Sequence, residues 1–85
     1  MRRNRALTLL KRVGMSTFVK YYQSFRTGVD VIFEEEYTQG SINTKINTGR
    51  KIFRENLERI ALEIVTESRN TSAETRQKAR ELLEV

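Results

Sequence analysis

Side chains that can recognise nucleic-acid bases recur at helical spacing in the middle of the chain. They follow one another at steps of four, three and four residues, and they are Asn43, Asn47, Arg50 and Arg54. Such steps place all of them on one side of an α-helix. Asparagine can pair with adenine, and arginine with guanine, through two hydrogen bonds in a major groove. The pattern therefore predicts base readout by Asn43, Asn47 and Arg50.

The charges around these side chains suit a polyanion. No acidic residue occurs between Tyr37 and Arg54, and Lys45 and Lys51 add two cations to this stretch. A lysine ammonium is a compact charge that contacts phosphate without base preference. We therefore expect phosphate contacts from Lys45, Lys51 and Arg54 beside the base-reading residues. The alternative is an ordinary amphipathic helix whose polar face is only solvated.

A second group of cations lies at the N-terminus, in Arg2, Arg3 and Arg5. We assign residues 1–14 to a basic arm or short helix, because their apolar residues also have helical spacing. Flexible basic arms contact phosphates or the minor groove of DNA, and we expect this of the three arginines. We also expect the fold to survive without this segment. A frayed terminus and a mitochondrial transit segment are the alternatives.

The composition narrows the classes of function. The 85 residues carry 16 basic and 11 acidic side chains, which gives a net charge of +5. A basic chain with localised positive segments is typical of proteins that bind nucleic acid. Cysteine and histidine are absent, so the chain lacks a thiolate zinc site and the usual general base near neutral pH. We therefore expect no enzymatic activity, no cofactor, no metal site and no small-molecule substrate.

The expected location and partners follow from the same properties. No apolar run approaches the ~20 residues of a membrane-spanning helix, so we expect a cytoplasmic protein with no membrane partner. Nucleic acid is the expected partner, with DNA favoured over RNA, and a homodimer is an additional option.

One long helix from Ser41 to Glu67 is the element expected to carry the base-reading side chains. Ser41 is suited to cap its N-terminus. A β-hairpin is the alternative for residues 29–48, because apolar residues and threonines alternate from Ile42 to Thr48. The helix is favoured because its apolar residues continue at helical spacing on one face. They are Ile42, Ile46, Phe53, Leu57, Ile60 and Ile64.

The remaining helices are expected to support this one. We predict them over residues 5–13, 16–26, 29–37 and 71–83, from apolar spacing and from capping residues at their ends. Together they make one all-α domain of four or five helices, in which residues 15–85 form the helical domain. The expected core draws on apolar and aromatic residues of several helices. They are Phe18, Val19, Tyr22, Phe25, Ile32, Phe33, Ile46, Phe53, Leu57, Ile60 and Leu82.

The stretch from Tyr37 to Phe53 resembles the turn and recognition helix of the helix-turn-helix superfamily of DNA-binding proteins. The resemblance covers residues 29–54, as a short helix, a turn at residues 38–40 and a second helix with polar and basic exposed residues. Glutamates occupy positions of the first helix where that superfamily usually has a small residue. The resemblance implies a DNA-binding protein, such as a small transcriptional regulator or a nucleic-acid accessory protein. The competing interpretation is a helical protein-interaction or oligomerisation module, in which the long helix or the last helix forms a dimer interface.

Overall fold

Apolar side chains at helical spacing form six helices within the described residues, which are 2–29 and 31–84 of the computed structural model. They are α1 (Arg2–Val13), α2 (Met15–Lys20), α3 (Tyr22–Thr27), α4 (Gln39–Arg54), α5 (Glu58–Glu67) and α6 (Ala73–Leu83). No β-strand occurs in these two stretches, so the hairpin alternative is wrong. The predicted all-α class and single domain are confirmed, with six described helices instead of four or five.

α1 belongs to the core and is not a detached arm. Its residues Ala6, Leu9, Leu10 and Val13 are fully buried and share one face of the helix. That face packs against α4 and α5. The helix ends at Gly14, whose positive φ of 92° is open to glycine without steric cost. Of the two predicted alternatives for this segment, the structure has the short helix.

The predicted helix over residues 41–67 is two helices, because the chain turns at Asn56. Asn56 has a φ of 58°, a left-handed conformation that asparagine tolerates better than most residues. Its backbone N–H donates to the carbonyl of Phe53 at 3.0 Å, and the N–H of Leu57 donates to that of Ile52 at 2.8 Å. These two bonds form a Schellman motif, which satisfies carbonyls at the end of α4.

Hydroxyl side chains set where two of the helices begin. The Thr38 hydroxyl accepts a hydrogen bond from Ser41 N at 3.2 Å, so α4 begins directly after Thr38 and the predicted Ser41 cap is wrong. The Ser72 hydroxyl accepts from Thr75 N at 3.1 Å in the first turn of α6. The predicted cap of the last helix at Thr71 is therefore one residue too early.

The predicted helix over residues 29–37 is absent from the described part of that stretch. Residues 31–38 form a segment without regular secondary structure, which bends at Glu34 and Glu35 and which we call the strap. Val31 is buried and Phe33 packs against the core, whereas Ile32 between them is 86% exposed. This alternation is typical of extended backbone, which β-branched residues such as Val31 and Ile32 favour. The first helix of the predicted helix-turn-helix pair is thus missing, and Ile32 is not a core residue.

Side chains hold the strap against the rest of the protein. The Phe33 ring lies edge-to-face against the rings of Tyr21 and Tyr37, with centroid distances of 4.9 and 5.4 Å. The Tyr21 hydroxyl accepts from Glu34 N at 2.9 Å and donates to Glu35 Oε1 at 2.9 Å. Tyr21 lies between α2 and α3, where the predicted helix over residues 16–26 is interrupted. None of the described residues 31–37 makes a backbone–backbone hydrogen bond.

The rest of the core follows the prediction in part. Phe18, Val19, Phe25 and Leu57 are buried as expected. Half-buried against them lie six other predicted members, which are Tyr22, Phe33, Ile46, Phe53, Ile60 and Leu82. The prediction missed six of the largest fully buried side chains, which are Leu9, Leu10, Val13, Ile52, Leu62 and Val65.

Two further properties concern residues 2–29 and 31–84. None of the helices described there has the length and apolar composition needed to cross a bilayer. The same residues contain no group of three His, Cys, Asp or Glu side chains placed to hold a metal ion.

Candidate nucleic-acid interface

The exposed side of α4 carries three of the four side chains predicted to form one stripe. Asn43, Asn47 and Arg54 are exposed along the length of the helix. The Asn43 side-chain oxygen accepts a hydrogen bond from Gln39 Nε2 at 3.1 Å, so two amides stand together near the start of α4. Amide groups both donate and accept hydrogen bonds, which is the chemistry that pairs with a base edge. This side of α4 therefore has polar groups suited to base contacts.

Arg50, the fourth side chain of the predicted stripe, makes hydrogen bonds within the protein. Its Nη2 donates to the carbonyl oxygens of Gly28 at 3.0 Å and Val29 at 3.4 Å. These carbonyls lie at the C-terminal end of α3 and just after it, where helix carbonyls lack partners within the helix. The Arg50 side chain is accordingly half-buried on the α3 side of α4. Base readout by Arg50 would require both bonds to break.

Lys45 also makes contacts within the protein. Its Nζ donates to the carbonyl oxygen of Val13 at 3.0 Å, at the C-terminus of α1. A cation is favourable there because the helix dipole places partial negative charge at that end. The same Nζ lies 4.8 Å from the centroid of the Tyr37 ring, within the range of a cation–π contact. Lys45 thus joins α1, α4 and the strap, and it is half-buried between them.

Two of the N-terminal arginines connect α1 to the C-terminal ends of α4 and α5. Arg2 donates to the carbonyl oxygen of Asn56 at 2.6 Å, beyond the end of α4. Arg3 pairs with Glu67 at the end of α5. Exposed ion pairs of this kind contribute only about 0–1 kcal/mol to stability. The predicted flexible arm is therefore the first turn of a helix, held at the protein surface by weak contacts.

The pair formed by Arg5 and Glu55 connects α1 to the end of α4. Arg5 donates two hydrogen bonds to the carboxylate, at 3.1 and 3.0 Å. These bonds hold the pKa of Glu55 below its usual value, and the positive charges of Lys51 and Arg54 act in the same direction. Lys51 precedes Glu55 by one helical turn, so it lies on the α1 side of α4.

Cations on α1 and α4 form what we call the basic face, which consists of Lys11, Arg12, Lys51 and Arg54. None of them is within ion-pair distance of a carboxylate in the described part of the chain. Because Arg5 contacts Glu55 and Lys45 contacts Val13, α1 and α4 run antiparallel. The two α1 cations therefore lie beside the N-terminal half of α4, and the two α4 cations beside the N-terminal half of α1. The charges are spread along the helix pair.

Lys11 and Arg12 were missed by the prediction of contact residues. The available signal was their adjacency within residues 1–29, a stretch that contains seven basic side chains and no acidic one. Both are exposed on the polar side of α1. Lys11 and Arg12 belong to the basic face because α1 packs beside α4. No local pattern in the sequence specifies that packing.

Acidic charge on the strap lies against α2 and the residue that follows it. Lys20 in α2 lies 3.0 Å from Glu34 and 3.1 Å from Glu35, and hydrogen bonds to these carboxylates raise the pKa of Lys20. The pKa of Glu35 is lowered by hydrogen bonds from Tyr21 and then from Lys20. Glu36 is exposed and forms no ion pair with any other described residue. Two of the three strap carboxylates thus share one lysine.

Comparisons with known proteins assign no family to this chain. It matches no model of a protein family, no curated protein and no solved structure. A function for this chain is therefore inferred from the geometry of the basic face.

Proposed function

We propose that the protein binds nucleic acid, with duplex DNA as the ligand, through the basic face and the exposed side of α4. The observation that carries this proposal is the set of four cations on α1 and α4 that have no carboxylate partner within the described residues. Such a surface attracts a polyanion at a distance, and binding is favoured further because phosphates release their counterions.

The acidic residue beside Lys51 and Arg54 does little to cancel their charge. α1 and α4 themselves contain no acid, and Glu55 follows immediately after α4. Both oxygens of the Glu55 carboxylate accept hydrogen bonds from Arg5, so its negative charge is offset locally. The surface that an approaching phosphate meets is consequently positive.

The dimensions of the helix pair suit a sugar-phosphate backbone. α4 has 16 residues and is therefore roughly 24 Å long at about 1.5 Å per residue. Phosphates of one strand of B-DNA advance by about 3.4 Å each along the helix axis. Cations at the two ends of the α1–α4 pair can thus contact different phosphates of the same strand.

Asn43 and Asn47 are the residues best placed to contact bases, since both are exposed on the side of α4 that also carries Arg54. Arg50 was expected to share this role and Lys45 to contact phosphates, but their side chains hold α3 and α1 in place. In this proposal α4 acts as a recognition helix without the preceding helix that the sequence predicted. A small transcriptional regulator and a nucleic-acid accessory protein would both use such a surface.

The oligomerisation alternative has less support. The apolar side of α6 packs within the chain, because Ala79 is buried and Leu82 and Leu83 lie against the core. α4 likewise directs Ile52 into the core. Neither helix therefore leaves a continuous apolar seam exposed among its described residues.

Titration of a labelled DNA duplex with the protein at two salt concentrations tests the proposed function. With about four phosphate contacts, log K should fall against log salt with a slope of roughly −3.6. Single-stranded RNA as a competitor distinguishes duplex binding from general attraction to polyanions. No detectable binding at about 50 mM salt, or a slope near zero, would contradict the proposal.

A further inference from the structure

The exposed residues in the N-terminal half of α4 are uncharged. They are Gln39, Gly40, Asn43, Thr44 and Asn47. Lys45, the one charged residue of this half, is half-buried and donates to the Val13 carbonyl oxygen. The exposed residues of α5, by contrast, are all charged, and they are Arg59, Glu63 and Glu67. Asparagine, threonine and glycine are weaker helix formers than lysine, arginine and glutamate, so helix stability does not explain the composition of this half of α4.

A hydrogen bond between side chains orients two of these amides. Gln39 Nε2 donates to Asn43 Oδ1 at 3.1 Å, across one turn of the helix. Asn43 Nδ2 and Gln39 Oε1 make no hydrogen bond to any residue that the structure describes. The bonded pair therefore offers a free donor group and a free acceptor on the exposed side of α4. Asn47 adds a third amide one turn further along the same stripe.

Adenine is the base whose edge matches this pair of groups. In the major groove adenine presents an acceptor at N7 and a donor at its N6 amino group. Guanine presents two acceptors there, cytosine a donor, and thymine an acceptor beside a methyl group. Asn43 Nδ2 can thus donate to N7 while Gln39 Oε1 accepts from N6. With guanine, the Gln39 oxygen would face another acceptor. The methyl group of Thr44 can also contact the thymine methyl of an A·T pair.

Gly40 leaves room for a base edge to approach α4. It precedes Asn43 by three residues and Asn47 by seven, so all three lie on one face of the helix. Its φ is not positive, and a Cβ added there would have no other atom of the described residues within 4 Å. The fold therefore does not require glycine at this position, and alanine is the better helix former. A glycine does allow a ligand to approach the backbone closely.

We propose that the N-terminal half of α4 recognises A·T base pairs in the major groove, with Gln39 and Asn43 together on one adenine and Asn47 on a neighbouring base pair. The inference rests on the proposed function and deepens it. It names the class of duplex that the protein prefers, and it adds Gln39 and Gly40 to the residues that face the bases. The cations of the basic face supply phosphate contacts that do not depend on base sequence.

Two duplexes that differ only in their central base pairs test this preference. At one salt concentration the unmodified protein should bind the duplex with central A·T pairs about tenfold more tightly than the one with G·C pairs. Replacement of the adenines by 7-deazaadenine removes N7 from the major groove and leaves the minor groove and the phosphates unchanged, so the preference should disappear. Equal affinity for the A·T and G·C duplexes, or a preference that persists with 7-deazaadenine, would overturn the inference. Absence of binding to either duplex would instead contradict the proposed function itself.

A matched pair of glutamine variants tests the role of Gln39. Gln39 in α4 and Gln77 in α6 are both exposed. Gln39→Ala should reduce the preference for A·T about fivefold, and it should leave the affinity for the G·C duplex and the salt slope unchanged because no charge is lost. Gln77→Ala should leave all three quantities unchanged. An unchanged preference in Gln39→Ala, or an equal loss in both variants, would overturn the inference.

Gly40→Ala tests the close approach of the bases to α4. The added methyl group should weaken binding to the A·T duplex about threefold, because it occupies the space assigned to the base edge. Thermal stability should not fall, since the methyl group meets no described residue. An unchanged affinity for the A·T duplex would show that the bases do not approach this face of α4, which would overturn the inference.

Discussion

The α1–α4 pair and the α5–α6 pair bury similar apolar faces but expose different charges. Each pair is antiparallel and contributes fully buried aliphatic side chains to one core. The exposed residues of α1 and α4 are polar or basic, and neither helix contains an acid. The exposed charged residues of α5 and α6 have mixed signs, and they are Arg59, Glu63, Glu67, Glu74, Lys78, Arg80 and Glu81.

This difference in exposed charge shows that the packing of a helix pair in this protein does not require an all-basic exposed surface. Mixed charge is the ordinary composition of a solvated helix surface, and α5 and α6 fold with it. Arginines on that side also serve the fold: Arg76 donates to the carbonyl oxygens of Ser68 at 3.1 Å and of Thr71. Lys11, Arg12, Lys51 and Arg54 form no ion pair among the described residues, and unlike the equally unpaired Lys78 and Arg80 of α6 they lie on helices that contain no acid, which favours a partner outside the chain.

The largest expected effects test whether the two pairs contribute equally to the core. Leu10 in α1 is 0% exposed and Leu62 in α5 is 1% exposed. Replacement of either by alanine should lower the free energy of unfolding by about 2–5 kcal/mol, through lost burial and a cavity. Denaturant unfolding measures both variants. A near-neutral Leu10→Ala would restore the sequence-based expectation that residues 1–14 are dispensable to the fold.

A smaller effect is expected where α3 packs on α4. A Cβ atom added at Gly49 would lie 2.7 Å from the nearest atom of the Phe25 ring, which is buried and has little room to move. Gly49→Ala should therefore destabilise the protein by about 1–3 kcal/mol despite the better helix propensity of alanine. Gly40→Ala in the same helix is the control, because nothing lies within 4 Å of its added Cβ. Equal stability of the two variants in thermal unfolding would show that α3 does not fit α4 as described.

Alanine variants of Arg50 and Arg54 should distinguish an arginine that stabilises the fold from one that contacts DNA. Arg50→Ala removes the donor to the carbonyls of Gly28 and Val29, and we expect it to lower stability by about 1 kcal/mol. Arg54→Ala should change stability by less than about 0.5 kcal/mol, because its side chain is exposed. Unfolding and DNA-binding curves for both variants check this. A stable Arg50→Ala protein that loses preference for one base would support the role predicted from sequence.

The smallest effect concerns the pH dependence of the contact between α1 and α4. Hydrogen bonds from Arg5 lower the pKa of Glu55 below the ordinary glutamate value of 4.5 in the folded protein. The stabilising contribution is therefore complete above pH 4.5 and is lost as the pH falls through the folded-state pKa. Glu55→Gln and Arg5→Ala should each remove this part of the acid-induced loss of stability. Unfolding curves recorded over that pH range would contradict the assignment if both variants kept the wild-type dependence.

Helix class and most inward-facing positions could be predicted because apolar residues recur at helical spacing. The break at Asn56 could not, because Phe53, Leu57 and Ile60 keep that spacing across the turn. A left-handed asparagine, stabilised by two backbone hydrogen bonds, ends α4 without any glycine or proline to signal it. The periodicity of the apolar residues therefore predicted one helix where the backbone forms two.

The strap was mispredicted for a different reason. Val29, Ile32 and Phe33 have helical spacing, and glutamate is a good helix former. The non-helical form is instead stabilised by residues distant in sequence: the Tyr21 hydroxyl accepts from the backbone N–H of Glu34, and Lys20 pairs with Glu34 and Glu35. Such tertiary contacts override local propensity and cannot be read from the segment itself.

The residues of the candidate site likewise fall into those whose position the sequence could predict and those whose contacts it could not. Exposure of Asn43, Asn47 and Arg54 follows from helical period and could be predicted. The internal roles of Lys45 and Arg50 depend on carbonyl oxygens brought to them by the fold. Sequence pattern thus identified the exposed side of α4 but not which of its cations are free to meet a ligand.

The most direct test of the central claim compares two double variants in DNA binding. Lys51→Ala with Arg54→Ala removes two cations of the basic face, and Lys78→Ala with Arg80→Ala removes the same charge from exposed positions on α6. The salt slope on duplex DNA should fall from roughly −3.6 to roughly −1.8 in the α4 variant and stay at its wild-type value in the α6 variant. Equal slopes in the two variants would show that the protein attracts DNA by net charge alone and that α1 and α4 do not form the binding surface.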